Sequence, residues 1–181
     1  MNTALHRGQA SVAIAAAVEP AQYLTFMLAQ EQFAIGILGI KEIIEYQGVT
    51  EVPMMPPCVR GVINLRGAVV PVVDLLARFG RPSSAVTKRT CVVIVEAACG
   101  ADERQVMGLL VDAVNEVLDI ARADIEPPPA FGARLRSDFI QGVGKVRGKF
   151  VLLLDVDRAL SIDDIAGFGE TADASIESVA A

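Results

Sequence analysis

The chain has 181 residues with a formal net charge of -6, and 52% of them are hydrophobic while 5% are aromatic. A negative protein repels phosphate backbones, which argues against nucleic acid as a partner. No apolar run approaches the roughly 18 residues of a membrane span, so direct membrane insertion is not expected. With so few aromatic residues the core must consist of Val, Ile, Leu and Ala, a composition that favours β structure where Val and Ile cluster.

The first 22 residues are expected to form a disordered N-terminal extension. The stretch Val12–Val18 is apolar and contains an A-x-A sequence, as signal peptides do, but it is short and Glu19 and Pro20 follow it directly. His6, the single histidine, also lies in this extension. Ser-His catalysis, Cys-His catalysis and histidine metal sites are therefore excluded from the folded body.

From Tyr23 to about Leu160 the chain consists of short Val- and Ile-rich runs separated by Gly, Pro and charged residues, which is typical of an all-β domain with at most short helices. The polar segment Gly80–Thr87 separates two strand-rich halves, and we interpret it as the connection between them. Residues 162–181 have small and acidic side chains and are expected to form a C-terminal tail, weakly helical or disordered. The predicted strands are Tyr23–Leu28, Gln32–Ile37, Val59–Leu65, Ala68–Val73, Thr90–Glu96, Val106–Val111, Gly142–Val146 and Lys149–Leu154.

The body contains an internal repeat. Gly61–Leu75 lies over Gly142–Val156 with Gly, Val, Arg, Gly, Val and Asp recurring 81 residues later. Upstream, Ile37–Ile43 lies over Val111–Val117 with the shared pattern apolar-x-x-apolar-x-Glu-apolar. Because a repeat uses one structural unit twice, two collinear matches predict two similar subdomains, consecutive or interleaved along the chain.

Each copy is predicted to close into a five-stranded β-barrel, since closure removes exposed sheet edges. In both copies Arg-Gly lies between two apolar runs, which predicts Arg66 and Arg147 at exposed hairpin turns where Gly permits positive φ. Asp74 and Asp155 follow the hairpins and are predicted to cap short helices. The groove between the two barrels is the expected binding site, because partner sites favour domain junctions.

The residues offer little for catalysis. The three cysteines form no CxxC pair, so neither a disulfide framework nor a zinc site is predicted. Asp155, Asp157, Asp163 and Asp164 are explained by solvation or helix capping, and no Gly-rich phosphate signature is present. We expect no enzymatic activity, no cofactor and no metal. A small hydrolase or isomerase using carboxylates clustered between the barrels is the alternative.

Glu42 and Glu116 occupy equivalent positions in the two copies and suggest where a partner binds. A carboxylate there can accept hydrogen bonds from a partner's Arg or Lys. A solvated face without function is the alternative, since exposed charges usually contribute little. Arg66 is similarly either a solubilising turn residue or an interface anchor. The apolar neighbours predicted to point inward are Ile40, Ile43, Val114 and Val117.

The sequence Gly61-Val-Ile-Asn-Leu-Arg-Gly, followed by Val-Pro-Val-Val-Asp-Leu and preceded by Pro53 and Pro57, resembles the central signature of the CheW family of bacterial chemotaxis coupling proteins. The opening strand, the Ile40-Lys-Glu-Ile segment and Gly108–Val117 extend the similarity in the same order. It covers roughly residues 23–161, which are therefore expected to form one CheW-like domain.

The resemblance implies two SH3-like barrels packed as a pseudo-duplicated fold, and a non-catalytic adaptor that couples transmembrane chemoreceptors to a CheA-type histidine kinase. The kinase's regulatory domain would meet the barrel ends, and the receptor's cytoplasmic tip would lie in the groove. Such a protein would be cytoplasmic, largely monomeric alone and recruited to receptor arrays at the inner membrane. A related pilus or surface-sensing array is the alternative. The resemblance assigns receptor binding to Ile40, Glu42, Gly61, Arg66, Gly108, Val114 and Val117.

Overall fold

A computed structural model describes residues 20–83, 85–98, 101–128 and 137–161. The predicted C-terminal tail and residues 1–19 of the predicted extension lie outside the described residues, and the first strand begins at Ala21, two residues before its predicted start. The strands are β1 (Ala21–Leu28), β2 (Glu31–Gly36), β3 (Ile40–Glu45), β4 (Val59–Leu65), β5 (Ala68–Asp74), β6 (Cys91–Ala98), β7 (Arg104–Val111), β8 (Ala113–Ile120), β9 (Ile125–Glu126), β10 (Ile140–Val146) and β11 (Lys149–Leu154), and the short helices are α1 (Leu75–Arg78) and α2 (Val156–Ala159).

The strands form two sheets, each of which we treat as one subdomain. The first subdomain has the strand order β8-β1-β2-β11-β10-β9, and the second has the order β3-β6-β7-β5-β4. Strands pair antiparallel except for β2 with β11 and β5 with β7, which are parallel. The chain begins in the first sheet, forms the whole second sheet and then returns. The predicted pair of β subdomains is confirmed, and the two are interleaved.

The interpretation of Gly80–Thr87 as the connection between subdomains is wrong. This segment joins β5 to β6, and both strands belong to the second sheet. The chain instead crosses between sheets at the 3-10 turn Ile37–Gly39 and at Asp112, which joins β7 to β8. Polar composition marks an exposed loop, but it carries no information about which sheets the flanking strands join.

Within the described residues, the buried apolar side chains form three clusters. Val70, Val72 and Ile94 belong to a core inside the second subdomain, and a smaller core inside the first contains Ile120 and Leu153. A larger cluster lies between the two subdomains and includes residues of both sheets. Successive residues of a strand point to opposite faces. Strands of the second sheet therefore bury one face in their own core and the other in the shared core.

Four phenylalanines cross the shared core. Phe26, Phe33, Phe79 and Phe139 follow one another with ring centroids 6.1, 5.9 and 5.8 Å apart. The guanidinium of Arg78 lies 4.8 Å from the Phe139 ring centroid, a cation-π distance. This row begins on β1 and β2 and ends beside α1 and α2, so it connects the first sheet to the short helices of both copies.

The two copies share their backbone details. Arg66 and Arg147 have φ of 52° and 50°, and the following Gly67 and Gly148 have φ of 86° and 75°. These values are those of the type I′ turns that suit two-residue hairpins. The Asp74 amide donates to the Cys58 carbonyl at 2.7 Å, and the Asp155 amide donates to the Phe139 carbonyl at 2.8 Å. Both predicted hairpins are confirmed.

The two predicted helix caps are also present. Oδ1 of Asp74 accepts hydrogen bonds from the Leu76 and Ala77 amides, and Oδ1 of Asp155 accepts one from the Arg158 amide. Each carboxylate thereby satisfies amides that the first turn of a helix leaves without partners.

All eight predicted strands are present, two of them (Val59–Leu65 and Lys149–Leu154) with the predicted bounds and six with shifted ends, but β3, β8 and the short β9 were not predicted as strands. In β3 the even-numbered residues are half-buried and the odd-numbered ones are exposed. This alternation places Glu42 on the same face as Ile40 and Ile44, where sequence reasoning expects an apolar residue. Because the charged Glu42 lies on the inner face, the sequence of β3 does not alternate between apolar and polar residues, which is the pattern that identifies a strand.

The close packing of β7 gives a first prediction. A Cβ on Gly108 would lie 2.6 Å from Cγ1 of Val92, whereas a Cβ on Gly36 would meet nothing within 4 Å. Overpacking a filled core typically costs 1–3 kcal/mol. We expect Gly108→Ala to lower the free energy of unfolding by about 2 kcal/mol and Gly36→Ala, the matched control, to leave it nearly unchanged. Urea unfolding followed by circular dichroism measures both, and equal midpoints would contradict the packing described.

Candidate partner-binding site

The surface around Glu42 and Arg66 brings together residues from opposite edges of the second sheet. Glu42 lies on β3, at one edge, and Arg66 lies at the turn between β4 and β5, at the other edge. Nη2 of Arg66 donates to Oε2 of Glu42 at 2.7 Å. We call this ion pair the Glu42–Arg66 pair. The two edges of the sheet can meet in this way only if the sheet curls, so the pair indicates that the second subdomain closes like a barrel.

The first subdomain repeats the arrangement with looser geometry. Nη1 of Arg147, at the turn between β10 and β11, lies 3.8 Å from Oε1 of Glu116 on β8. The Glu116 side chain is more exposed than that of Glu42, at 55% against 24%. The repeat therefore gives each subdomain one Glu–Arg contact, but the contact in the second subdomain is shorter and less solvated.

Burial makes Glu42 unusual among the surface carboxylates. Its Oε2 accepts from Arg66, whereas its Oε1 is buried and has no hydrogen-bond partner among the described residues. A desolvated carboxylate oxygen strongly favours a hydrogen-bond donor. The guanidinium of Arg66 is mostly exposed and keeps donors free for another molecule. The pair thus presents a cation on the surface that is held in position by a partly buried anion.

The apolar residues predicted to point inward divide into two groups. Ile40 and Val114 are half-buried and pack against the shared core. Ile43 and Val117 are 42% and 51% exposed, so the prediction that they point inward is wrong. On β3 the reason is the strand period, which places Ile43 on the face opposite Ile40. Val117 and Ile43 are consequently available to a partner rather than to the core.

The two glycines assigned to receptor binding are buried. A Cβ on Gly61 would lie 2.3 Å from the Thr50 carbonyl oxygen, and Gly61 has φ of 151°, which L side chains rarely adopt. Gly108 is enclosed by Val92 and Val72. Both glycines allow close packing inside the second sheet. They shape the surface from below, while Glu42 and Arg66 present polar groups on it.

Sequence reasoning missed two exposed apolar residues near these positions. Leu38 is fully exposed on the 3-10 turn before β3, and Val69 is largely exposed on β5, three residues after Arg66. Both residues lie close in sequence to a member of the Glu42–Arg66 pair, and exposed apolar side chains contribute to protein-binding surfaces. No sequence signal distinguishes these two residues from core residues, because leucine and valine fill most of the core as well.

The carboxylates near the junction of the subdomains do not form a catalytic cluster. They line an open cavity of about 320 Å³. Oδ1 of Asp155 caps α2, Oδ1 of Asp157 accepts from the Ala98 amide, and Glu96 lies 3.9 Å from Lys41. Each carboxylate therefore has a structural partner, and within the described residues no three His, Cys, Asp or Glu side chains are placed to hold a metal ion.

The buried thiol of Cys58 is poorly suited to nucleophilic chemistry. Cys58 is buried, and desolvation by that burial raises the pKa of its thiol above the usual value, so less thiolate is present at neutral pH.

None of the helices in the described part of the chain is long and apolar enough to cross a membrane.

Comparison with known proteins identifies the family. Residues 22–164 match the CheW-like domain. The chain belongs to the CheW-like family. It is 31% identical over 145 residues to the chemotaxis protein CheW of Klebsiella aerogenes, covering 80% of this chain and 84% of that protein. It is 33% identical over 136 residues to the CheW of Rhizobium meliloti, covering 75% and 84%.

A solved CheW-like structure has the same architecture. The scaffolding protein TtCheW from Thermoanaerobacter tengcongensis superposes with a TM-score of 0.69 at 34% sequence identity, covering 77% of this chain and 92% of that one. The resemblance stated from the Gly61–Leu75 signature is confirmed, and so is the fold of two β subdomains with short helices.

The energetics of the Glu42–Arg66 pair give a second prediction. Exposed ion pairs typically contribute about 0.2–1 kcal/mol. In a double-mutant cycle with Glu42→Gln and Arg66→Met, we expect a coupling energy below about 1 kcal/mol, measured by urea unfolding. The equivalent cycle with Glu116→Gln and Arg147→Met is the control and is expected to give a smaller coupling. A coupling above about 2 kcal/mol would make the first pair chiefly a stabilising element.

Proposed function

We propose that this chain is a non-catalytic coupling adaptor that connects the cytoplasmic tips of transmembrane chemoreceptors to a CheA-type histidine kinase. The observation that carries the proposal is the CheW-like match over residues 22–164, which spans both subdomains. The relatives are named chemotaxis proteins and the similar solved structure is named a scaffolding protein. The protein works in the cytoplasm and joins receptor arrays at the inner membrane.

The receptor tip is proposed to bind at the surface that holds the Glu42–Arg66 pair. A helix lying in a groove buries apolar side chains and uses a few polar contacts to set its register. Ile40, Val114 and Val117 supply the apolar contacts, since they are half-buried or exposed. Arg66 supplies an exposed cation, and Glu42 orients it at 2.7 Å.

Gly61 and Gly108 contribute to receptor binding indirectly in this proposal. Both are buried and enclosed by neighbouring atoms. A larger residue at either position would displace β4 or β7, and with it the β4–β5 hairpin that carries Arg66. Substitutions there should therefore weaken stability and receptor binding together, whereas substitutions of Arg66 should weaken binding alone.

The kinase's regulatory domain is proposed to bind at the ends of the barrels, away from the receptor surface. An adaptor must hold both partners at once, which requires two separate surfaces. The two copies of the repeat provide them, because each presents its own hairpin tip and exposed apolar residues. The isolated protein is proposed to be largely monomeric.

Reversing the charge of the pair is expected to weaken receptor binding. We expect Glu42→Arg and Arg66→Glu each to reduce affinity for the receptor's cytoplasmic fragment at least tenfold, or about 1.4 kcal/mol. Either change places like charges within 4 Å and removes the positioned cation. Arg89→Glu, a change at an exposed arginine of the loop between β5 and β6, should leave receptor affinity unchanged. Pull-down and titration with the purified fragment measure this, and unaltered binding of a folded Arg66→Glu protein would show that the assigned surface is wrong.

Kinase binding is expected to respond differently. Because the proposed kinase contacts lie at the barrel ends, Glu42→Arg should still capture the kinase's regulatory domain with affinity within about twofold of the unchanged chain. Size-exclusion chromatography of the two purified proteins measures this. If the kinase and the receptor fragment are lost together while the circular dichroism spectrum is preserved, the two surfaces are not separate.

A further inference from the structure

The apolar run in the N-terminal segment has no role in the proposed coupling function. Val12–Val18 consists of seven consecutive Val, Ile and Ala residues, and residues 8–18 contain no charged side chain. A run of this composition is stabilised when it leaves water for an apolar surface. The place where the segment joins the fold therefore suggests which surface it contacts.

Residues 1–19 join the fold beside an exposed apolar turn. β1 begins at Ala21, two residues from the position that lies opposite Gly36, where β2 ends. The 3-10 turn Ile37–Gly39 follows directly and contacts both β1 and β6. We call it the Leu38 turn. The Leu38 side chain is fully exposed on it.

The Leu38 side chain contributes no contact to the described fold. A Cβ on Gly36 would meet nothing within 4 Å, and one on Gly39 would meet only the Glu96 carbonyl oxygen, at 3.9 Å. The backbone on both sides of Leu38 is therefore open to another chain. The equivalent residue of the repeat, Asp112, is engaged instead, because its Oδ2 accepts from a backbone amide of the β1–β2 turn at 2.8 Å.

We propose that the Val12–Val18 run docks on the Leu38 turn. Its Val and Ile side chains cover Leu38, and its alanines approach the open backbone at Gly36 and Gly39, where the absence of a Cβ permits close contact. Leu38 lies two residues before Ile40 of the proposed receptor surface, so the docked run borders that surface. A partner that uses Leu38 must displace the run.

The tether is long enough for this contact. Strand pairing places Gly36 about 5 Å from the β1 residue opposite it. Ala21 is two residues further along the strand and therefore about 10 Å from Gly36. Val18 is three residues before Ala21, and extended chain covers about 3.3–3.6 Å per residue, so the run reaches the turn. Tethering supplies an effective concentration on the order of mM, so a weak intrinsic affinity suffices.

The C-terminal segment matches the Leu38 turn less well. Residues 162–181 contain five acids and no Lys or Arg, and the turn has no cation of its own to pair with them. Burying a carboxylate without a partner is costly. Lys41 and Glu96, which flank the turn, lie 3.9 Å apart and compensate each other's charge. Apolar composition and the point of attachment, rather than charge, therefore favour Val12–Val18 as the occupant.

Photo-cross-linking of the full chain tests the contact directly. Leu38 is replaced by p-benzoylphenylalanine, whose light-excited ketone takes a hydrogen atom from a neighbouring C–H bond onto its oxygen, after which the two carbon radicals join. Cleavage after glutamate separates the partners, because Glu19 ends one peptide while Glu31 and Glu42 bound the other. We expect links from position 38 to residues 12–18 in monomer-sized product.

The matched control carries the same photoreactive group at Asp119. This exposed residue of β8 lies opposite Gln22, so it too lies beside the start of β1, but on the other side of that strand. An undirected segment reaches both positions alike. The docked run should link to position 38 about fivefold more often than to position 119.

Three results would overturn the proposal. Equal linking at the two positions, including none at either, would show an undirected segment. Links from position 38 to residues 162–181 would assign the turn to the C-terminal segment, and links found only in dimer-sized product would assign it to a second copy of the chain. None of these measurements involves a receptor or a kinase, so their failure leaves the proposed coupling function untouched.

Nuclear magnetic resonance provides an independent measurement. In the full chain, Val12→Ser with Ile14→Ser removes apolar surface from the run without changing its charge or touching the described fold. We expect the amide resonance of Leu38 to shift. Ile165→Ser with Phe168→Ser, the matched change in the C-terminal segment, should leave that resonance in place. An unshifted Leu38 resonance in the first variant would show that the run does not cover the turn.

Discussion

The structure depends on the apolar core that the two sheets share. In the second sheet, neighbouring residues such as Val72 and Val73 on β5 are both fully buried, one in the sheet's own core and the other in the shared core. Successive residues of a strand face opposite ways, so strands of this composition need apolar partners on both sides. Neither sheet can satisfy that requirement alone. The shared core therefore binds the two subdomains together.

Curling of each sheet around its own core determines where the charges meet. It brings β3, at one edge of the second sheet, against the hairpin at the other edge, and the Glu42–Arg66 pair forms there. The result is a surface with one positioned cation and nearby apolar side chains. The junction between the sheets, by contrast, is filled by phenylalanines and leaves its carboxylates engaged as caps and acceptors. Such an arrangement suits binding of another protein better than chemistry on a small molecule.

Duplication explains why two surfaces of similar construction differ in character. The copies retain the turn, the Glu–Arg contact and the capping aspartate, because these belong to the backbone geometry of the unit. They diverge at exposed positions, where Asn64 and Val69 correspond to Lys145 and Phe150. Exposed side chains are free to change without loss of stability, so one fold can carry two surfaces of different chemistry.

The sequence by itself determined the all-β class, the two copies, the hairpin turns and the helix caps. These are local features, set by strand composition, by Gly after Arg66 and Arg147, and by Asp74 and Asp155 at fixed spacing. It also carried the family signature. The interleaving of the subdomains was decided by which distant strands pair, so the loop at Gly80–Thr87 was misread. The inward-facing Glu42, the buried glycines and the exposure of Ile43 and Val117 likewise follow from the curl of the sheets. Whether an apolar residue lies in a core or faces a partner depends on which element of the fold packs against it. The spacing of residues along the chain does not contain that information.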